Sequence, residues 1–119
     1  MNKNEDDKVQ QFQFNLNRDL LAASTAGDVA SVTSLLQQGA NVLSEDDNGN
    51  TGLHESARHG HDDIVKIFLN KGLEVNSRGL GQWTPLMLAV YRGHLSTTRI
   101  LLDKGTDMEL RNSVGETVP

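Results

Sequence analysis

The sequence predicts an all-α fold, a solenoid of stacked helix-turn-helix units joined by β-hairpins or loops. The main observation is a spacing of 33 residues that relates three stretches of the chain. The columns in this register are Leu20, Leu53 and Leu86; Gly27, Gly60 and Gly93; Leu36, Leu69 and Leu102; and Gly39, Gly72 and Gly105. Only five residues are aromatic, so the core must consist of thin layers of aliphatic side chains. A fixed period of this length is typical of repeat arrays, in which each unit buries its apolar face against its neighbours.

The length and composition fit one intracellular domain. The chain has 119 residues and three complete units, the number at which a stacked array can bury a continuous core. It has no cysteine, which excludes disulfides and thiolate metal sites and suits a reducing compartment. The start, MNKNEDDKVQQ, has no apolar segment of a secretory signal, and no apolar run approaches membrane-spanning length. We therefore expect a cytoplasmic or nuclear protein without membrane insertion.

The charge is distributed unevenly along the chain. The formal net charge is −5, and residues 1–50 carry three Lys or Arg against eight Asp or Glu. Binding to a phosphate backbone needs a basic face. Because the sequence offers none, nucleic acid is not expected as a partner.

Residues 1–14 are predicted to be a flexible tail, and residues 15–45 the first unit. Phe12, Phe14 and Leu16 alternate with polar residues, which is compatible with a short extended segment but more readily with a lid over the first helix pair. The helical pattern then begins at about residue 17. Gly27 ends the first helix, and Asp28 caps the second.

The second unit, at about residues 46–78, has clearer boundaries. The polar cluster SEDDNGN at residues 44–50 predicts a turn, because Asn48-Gly49 supplies the left-handed conformations of a tight hairpin. Thr51 follows as a helix cap, and Gly60 separates the two helices. The apolar stripe of the second helix is Ile64, Val65, Phe68 and Leu69.

The third unit, at about residues 79–111, opens with Thr84 as the helix cap and Pro85 in the first turn. Thr97 and Thr98 occupy the register of two apolar residues in the second unit. We expect each buried hydroxyl to bond back to a carbonyl of its own helix. Thr117 shares the register of the earlier caps, so residues 112–119 are predicted to start a truncated fourth unit.

This pattern resembles the ankyrin repeat from Asn15 to Pro119. The motifs that carry the resemblance are Thr-x-Leu-His at residues 51–54, Thr-Pro-Leu at residues 84–86, and the Gly-His pairs at 60–61 and 93–94. The first unit lacks the Thr-Pro-Leu-His opening and so resembles an amino-terminal capping repeat. The third unit has no cap after it, which implies a fragment of a longer protein or self-association through the uncapped carboxyl-terminal face.

The sequence departs from the family pattern at three positions. Gly52 replaces a proline, which should loosen that helix start. Met87 replaces a histidine, so the hydrogen bonds that tie neighbouring hairpins are expected from His54 alone. Gln82 replaces a hairpin glycine, so the third hairpin is expected to be remodelled.

The resemblance implies a noncatalytic protein-protein interaction module that binds a protein partner through its concave face and hairpin tips. In this chain those places hold Asp47, Asn48, Asn50, Arg58, His59, Arg78, Leu80, Trp83, Tyr91 and Arg92. The residue types of Trp83, Tyr91 and Arg92 are enriched at binding hot spots. The alternative is local packing, with Trp83 folded over its own hairpin and Tyr91 covering its helix.

Other functions are also compatible with parts of the sequence. The array could be a spacer or targeting segment of a larger enzyme or channel. Ser44, Asp46, Asn48 and Glu55 match part of a calcium loop but lack its leading aspartate. The histidines at 54, 59 and 61 are close in sequence, but no carboxylate or thiolate spacing completes a zinc site. Ser56 near His59 is the best nucleophile pair. The repeat pattern accounts for these residues structurally, so we expect no metal, no cofactor and no catalysis.

One modification follows from the family resemblance. Asn76, after Glu74-Val75, resembles the asparagine that ankyrin proteins offer to an asparaginyl hydroxylase. The alternative is that this side chain hydrogen-bonds within its own hairpin.

Overall fold

The computed structural model describes residues 3–71 and 83–104, with side chains from Glu5 onward, and this part of the chain contains six helices. They are α1 (Lys3–Ala26), α2 (Val29–Gln37), α3 (Gly52–Arg58), α4 (Asp62–Asn70), α5 (Pro85–Tyr91) and α6 (Leu95–Asp103). Within these residues the strand-type pairing is one isolated bridge between Glu45 and Thr51. The predicted all-α repeat architecture is confirmed.

The helices form three consecutive pairs placed side by side. The first helices of the pairs, α1, α3 and α5, pack in one layer, and the second helices, α2, α4 and α6, pack in the other. One core cluster runs through all three pairs and includes Leu20, Val32, Leu53, Ile64, Leu86 and Leu101. Because α3 and α5 have only two turns each, this shared core must supply most of their stability.

Helix α1 begins earlier than the sequence analysis predicted. The extended segment proposed at residues 12–16 is wrong, because this segment is helical. Of the three residues proposed as a lid, Leu16 is buried in the core, whereas Phe12 and Phe14 are 57% and 59% exposed and cover nothing. Side-chain hydrogen bonds between residues four apart support the helix. Gln13 donates to Asn17 at 2.9 Å, and Gln11 donates to Asn15 at 3.0 Å. Gln13 Nε2 also donates to the carbonyl oxygen of Gly39 at 3.1 Å, which fastens the helix to the end of α2.

The predicted helix caps are confirmed at three helix starts. Asp28 accepts a hydrogen bond from the N–H of Ser31 at 3.1 Å, and the Ser31 hydroxyl and N–H together lower the pKa of the Asp28 carboxyl. Thr51 and Thr84 accept from the N–H groups three residues later in α3 and α5. Pro85 occupies the first turn of α5, where its missing N–H leaves no hydrogen bond unmade.

The turn of the second unit also has the predicted form. Gly49 has φ +80°, and the N–H of Asp46 donates to the carbonyl oxygen of Asn50 at 2.9 Å. Asp46 Oδ1 accepts from the N–H groups of Asn48 and Asn50 at 2.8 and 3.0 Å. The carboxylate of Asp46 therefore closes the turn.

The two threonines of α6 behave differently from each other. Thr98 Oγ1 donates to the carbonyl oxygen of His94 at 2.7 Å, as predicted. The prediction is wrong for Thr97, whose hydroxyl donates to the carboxylate of Asp62 at the start of α4. Ser96 donates to the same carboxylate. Asp62 thus joins the second and third units through two hydroxyl groups, a long-range contact that local sequence does not reveal.

Gly52 is required by packing against its neighbours. A Cβ atom at this position would lie 2.5 Å from Cζ of Phe68 and 2.8 Å from Oγ of Ser24. Glycine is expected to loosen the helix start, but it also improves the packing of the core, because the absent side chain leaves room for the buried ring of Phe68. In the third unit the positions of Gly52 and Phe68 hold Pro85 and Leu101, so a larger residue at the helix start is matched by a smaller one in the partner helix.

We predict that Gly52→Ala lowers the free energy of unfolding by about 1–3 kcal/mol, although alanine normally stabilises a helix by about 0.5–1 kcal/mol over glycine. The reason is the contact with Phe68. In a Phe68→Leu background the penalty of Gly52→Ala should fall by at least about half, since contacting sites are not additive. Urea denaturation of the four proteins measures this. Strict additivity of the two substitutions would show that the ring is not the cause.

Candidate functional site

His54 connects the hairpin end of the second unit to the third unit. Its Nδ1 accepts a hydrogen bond from the N–H of Thr51 at 3.2 Å. Nε2 therefore carries the proton and donates to the carbonyl oxygen of Trp83 at 3.1 Å. The predicted hydrogen bond between neighbouring units is confirmed, and it fixes the backbone from which the Trp83 side chain projects.

A second histidine contact joins the units at the opposite ends of α3 and α5. His94 Nε2 donates to the carbonyl oxygen of Arg58 at 2.8 Å, and its ring lies against Gly60, where a Cβ would be 2.7 Å from Nδ1. His61 makes the same contact one unit earlier, against Gly27. We call this arrangement the Gly-His joint. It joins the end of a unit's first helix to the residue before the second helix of the next unit.

An aromatic pair lies at the two ends of α5, with Trp83 before the helix and Tyr91 as its last residue. The rings of Trp83 and Tyr91 meet edge to face, with centroids 5.3 Å apart and planes at 78°. Tyr91 is 70% exposed, whereas Trp83 is partly buried against the core. Trp83 therefore packs locally, as one of the two interpretations from the sequence predicted, and its contact with a partner stays a prediction.

Charged side chains cluster at the end of α3. Glu55 is nearly buried, with its side chain 11% exposed, and one carboxylate oxygen lies 3.9 Å from Arg58 Nη1 and 3.8 Å from His59 Nε2. Arg92 follows α5 and is exposed. We define the α3–α5 surface as the exposed atoms of Glu55, Arg58, His59, Trp83, Tyr91 and Arg92.

The protonation of His59 reflects these neighbours. Partial burial lowers its pKa, and His61, Arg58 and Arg92 lower it further, whereas the carboxylate of Glu55 raises it. The rings of His59 and His61 are stacked with centroids 5.9 Å apart. Because burial, the largest of these effects, and the cationic neighbours both oppose protonation, the neutral form of His59 is favoured at pH 7.

The hairpin-tip residues predicted for the site differ in their exposure to solvent. Asp47 and Asn48 are exposed at the turn of the second unit. Asn50 is 3% exposed, so its placement in a binding face is corrected: its N–H closes the turn onto Asp46, and its side chain is buried. The predictions for Arg78, Leu80 and Asn76, and for the third hairpin and the fourth unit, fall outside the described residues.

The residues considered for calcium or catalysis have structural roles. Ser56 is buried, and its Oγ donates to the carbonyl oxygen of Leu53 at 3.2 Å. Asp46 is held in the turn, while Glu55 lies in α3 beside Arg58. In residues 3–71 and 83–104, no group of three His, Asp or Glu side chains is placed to hold a metal ion.

Glu55 is the member of the surface that sequence reasoning missed as a binding residue. The signal was present, because the residues 33 positions before and after it, Ala22 and Leu88, are apolar. A carboxylate in an otherwise apolar column indicates a local electrostatic role.

No helix in the described part of the chain combines the length and the apolar character needed to cross a lipid bilayer.

Comparison with known proteins adds independent observations. A family model described as ankyrin repeats in three copies matches residues 20–112. Protein phosphatase 1 regulatory subunit 12A of Mus musculus is 39% identical over 69 residues, 58% of this chain and 7% of that protein.

Two further relatives match larger shares of the chain. The transient receptor potential cation channel subfamily A member 1 homolog of Caenorhabditis elegans is 36% identical over 88 residues, 73% of this chain and 7% of its own length. Palmitoyltransferase Hip14 of Drosophila melanogaster is 34% identical over 99 residues, 82% of this chain and 15% of its own length. The chain thus spans only a small part of each of these relatives.

Proposed function

Because this chain belongs to the ankyrin repeat family, we propose that it is a noncatalytic protein-interaction module whose α3–α5 surface contacts a protein partner. The observation that carries the proposal is the edge-to-face contact of partly buried Trp83 with exposed Tyr91. Arg92 follows Tyr91 in the chain, and Arg58 holds the position of Tyr91 in the preceding unit. These residue types provide large contact area with few rotatable bonds and a polar group for orientation. Stacked repeats form a concave surface whose exposed residues can vary without any change in the buried core.

The packing of the site supports this use. His54 donates a hydrogen bond to the backbone of Trp83, and in the Gly-His joint His94 donates one to the backbone of Arg58. The backbone of the α3–α5 surface is therefore held at Trp83 and at Arg58. A surface fixed in this way loses little conformational freedom when a partner binds. Asp47 and Asn48 at the hairpin tip would extend the contact toward the second unit.

We predict that the double substitution Tyr91→Ala and Arg92→Ala reduces recovery of the specific partner from a cell extract by about tenfold or more, since hot-spot truncations cost at least about 2 kcal/mol. Both side chains are exposed, so thermal stability should change little. Affinity capture with quantitative mass spectrometry measures the recovery. The matched control is Lys66→Ala with Asp103→Ala, two exposed positions on α4 and α6.

The competing proposal is a spacer or targeting segment in a larger channel or enzyme. Its support is the small share of the channel homolog and of the palmitoyltransferase that the matched repeats occupy. Equal recovery of every captured protein by the native chain, the surface variant and the control would favour this alternative and reject the α3–α5 surface.

A further inference from the structure

We propose that the α3–α5 surface selects an acidic partner, a protein segment that carries Asp or Glu carboxylates beside an apolar side chain. The inference rests on the proposed function and adds the chemical class of the partner. It depends on three features of the surface: its charge, an unsatisfied arginine donor and the adjacent aromatic pair.

The sign of the local charge is opposite to that of the chain. The whole protein carries a net charge of −5. On the surface, Arg58 lies 3.9 Å from the carboxylate of Glu55, and Arg92 lies close enough to His59 to lower its pKa. Two guanidinium groups thus stand against one carboxylate. An acidic segment is therefore attracted here and repelled by the acidic first part of the chain.

The guanidinium group of Arg58 has a donor without a hydrogen-bond acceptor among the described residues. Its Nε is buried and has no hydrogen-bond acceptor among the described residues. The nearest carboxylate oxygen, from Glu55, is 3.9 Å from Nη1. Charge-assisted hydrogen bonds are about 2.7–2.9 Å long, so this ion pair does not supply one. The side chain is still 33% exposed, so an incoming carboxylate can reach the guanidinium.

The aromatic pair defines the apolar part of the ligand. Tyr91 is exposed and meets Trp83 edge to face, which leaves ring surface open beside Arg92. A carboxylate bound by an arginine and a neighbouring apolar side chain placed on the rings would use both parts of the surface. A purely acidic segment would leave the rings exposed and is expected to bind more weakly.

The protonation of His59 gives the interaction a pH dependence. The charged or titratable groups around it are Glu55 and Arg58 on α3, His61 before α4, and Arg92 after α5. A partner carboxylate placed near His59 favours the imidazolium and raises its pKa, so binding takes up a proton. Affinity should increase as the pH falls from about 7.5 to about 6, where the partner's carboxylates remain ionised.

The test is selection of random 16-residue peptides from a phage-displayed library on the full 119-residue chain. Enriched sequences should contain several Asp or Glu residues next to a Leu, Phe or similar side chain. Synthetic copies in which Asp and Glu become Asn and Gln should bind the native protein about tenfold or more weakly, as expected when charge complementarity is removed. Binding of the acidic peptides should weaken with added salt and strengthen toward pH 6.

The matched protein variants are Arg58→Gln with Arg92→Gln and, as the control, Lys66→Gln with Lys104→Gln. Each double variant removes two positive charges, so a general effect of net charge would appear in both. We expect the arginine variant to lose about tenfold or more in affinity and the lysine variant to lose less than about threefold. Circular dichroism and urea denaturation verify that both variants fold.

The possible failures are distinguishable. Enrichment of neutral or basic peptides whose binding requires Tyr91 would overturn the acidic partner and retain the proposed function. Peptides that bind equally well after substitution of both Tyr91 and Arg92, or a selection that enriches no peptide, would count against both proposals.

Discussion

Replacement of His54 by alanine should lower the free energy of unfolding by about 2–4 kcal/mol, since it removes buried volume and two hydrogen bonds. His54 is 1% exposed. Its Nδ1 accepts from the N–H of Thr51 and its Nε2 donates to the carbonyl oxygen of Trp83. Alanine leaves both backbone groups without these partners and weakens the attachment of the third unit to the second.

A second substitution, His54→Met, separates the two contributions. The third unit itself has Met87 at the matching position, 4% exposed, so methionine is compatible with this place in the fold. It keeps most of the volume and loses both hydrogen bonds. We expect about half of the loss seen with alanine, measured by urea denaturation. If the methionine variant is as stable as the native chain, the hydrogen bonds contribute little and the alanine effect is a cavity effect.

Gly60→Ala should also be strongly destabilising, by about 2–4 kcal/mol, because two penalties combine. Gly60 has φ +72°, a left-handed conformation that alanine rarely adopts, and its Cβ would lie 2.7 Å from the ring of His94. Displacement of that ring would also strain the hydrogen bond from His94 to the carbonyl oxygen of Arg58. Thermal or urea denaturation measures the loss.

Gly93→Ala is the matched control for the Gly-His joint. Gly93 has φ +78°, and nothing among the described residues lies within 4 Å of the position that a Cβ would take there. The backbone penalty is therefore the same and the contact penalty is absent, so we expect a loss of about 1–2 kcal/mol. Equal losses at Gly60 and Gly93 would contradict the idea that the packing of the histidine ring requires a glycine.

Much of the fold could be predicted because its signals are local and repeated. Thr51 and Thr84 each lie directly before a helix, and the capping hydrogen bond involves only the next three residues. In the described residues, Gly27, Gly39, Gly60 and Gly93 end helices in a left-handed conformation, which glycine adopts without help from distant contacts. A spacing repeated three times therefore predicted the helices and the order in which they stack.

The contacts between units could not be predicted in the same way. The bond from Thr97 to Asp62 joins residues 35 positions apart, and nothing in either residue's neighbourhood indicates it. The early start of α1 was missed because Phe12 and Phe14 alternate like a strand, whereas the helix there is held by glutamine and asparagine side chains. Similarly, the sequence around Gly52 predicts only a loosened helix start, because the ring of Phe68 that requires the glycine lies 16 residues away in the next helix.

The candidate site was only partly predictable. Trp83, Tyr91 and Arg92 were singled out because the core does not require their types, and the described structure places the two rings in contact. Asn50 was misjudged because a turn residue is usually exposed, and here the closing of the turn buries it. The importance of Glu55 depends on its distance from Arg58, which only the packing of α3 determines.

The Gly-His joint also bears on how such a chain can change its length over evolution. Each joint consists of a glycine in one unit and a histidine that packs against it, placed at the start of the following unit's second helix. The second unit carries both, with Gly60 on one side and His61 on the other. Duplication of its coding segment would produce a copy that fits its parent and its successor through the same coupling, so the array can be lengthened without inventing a new interface.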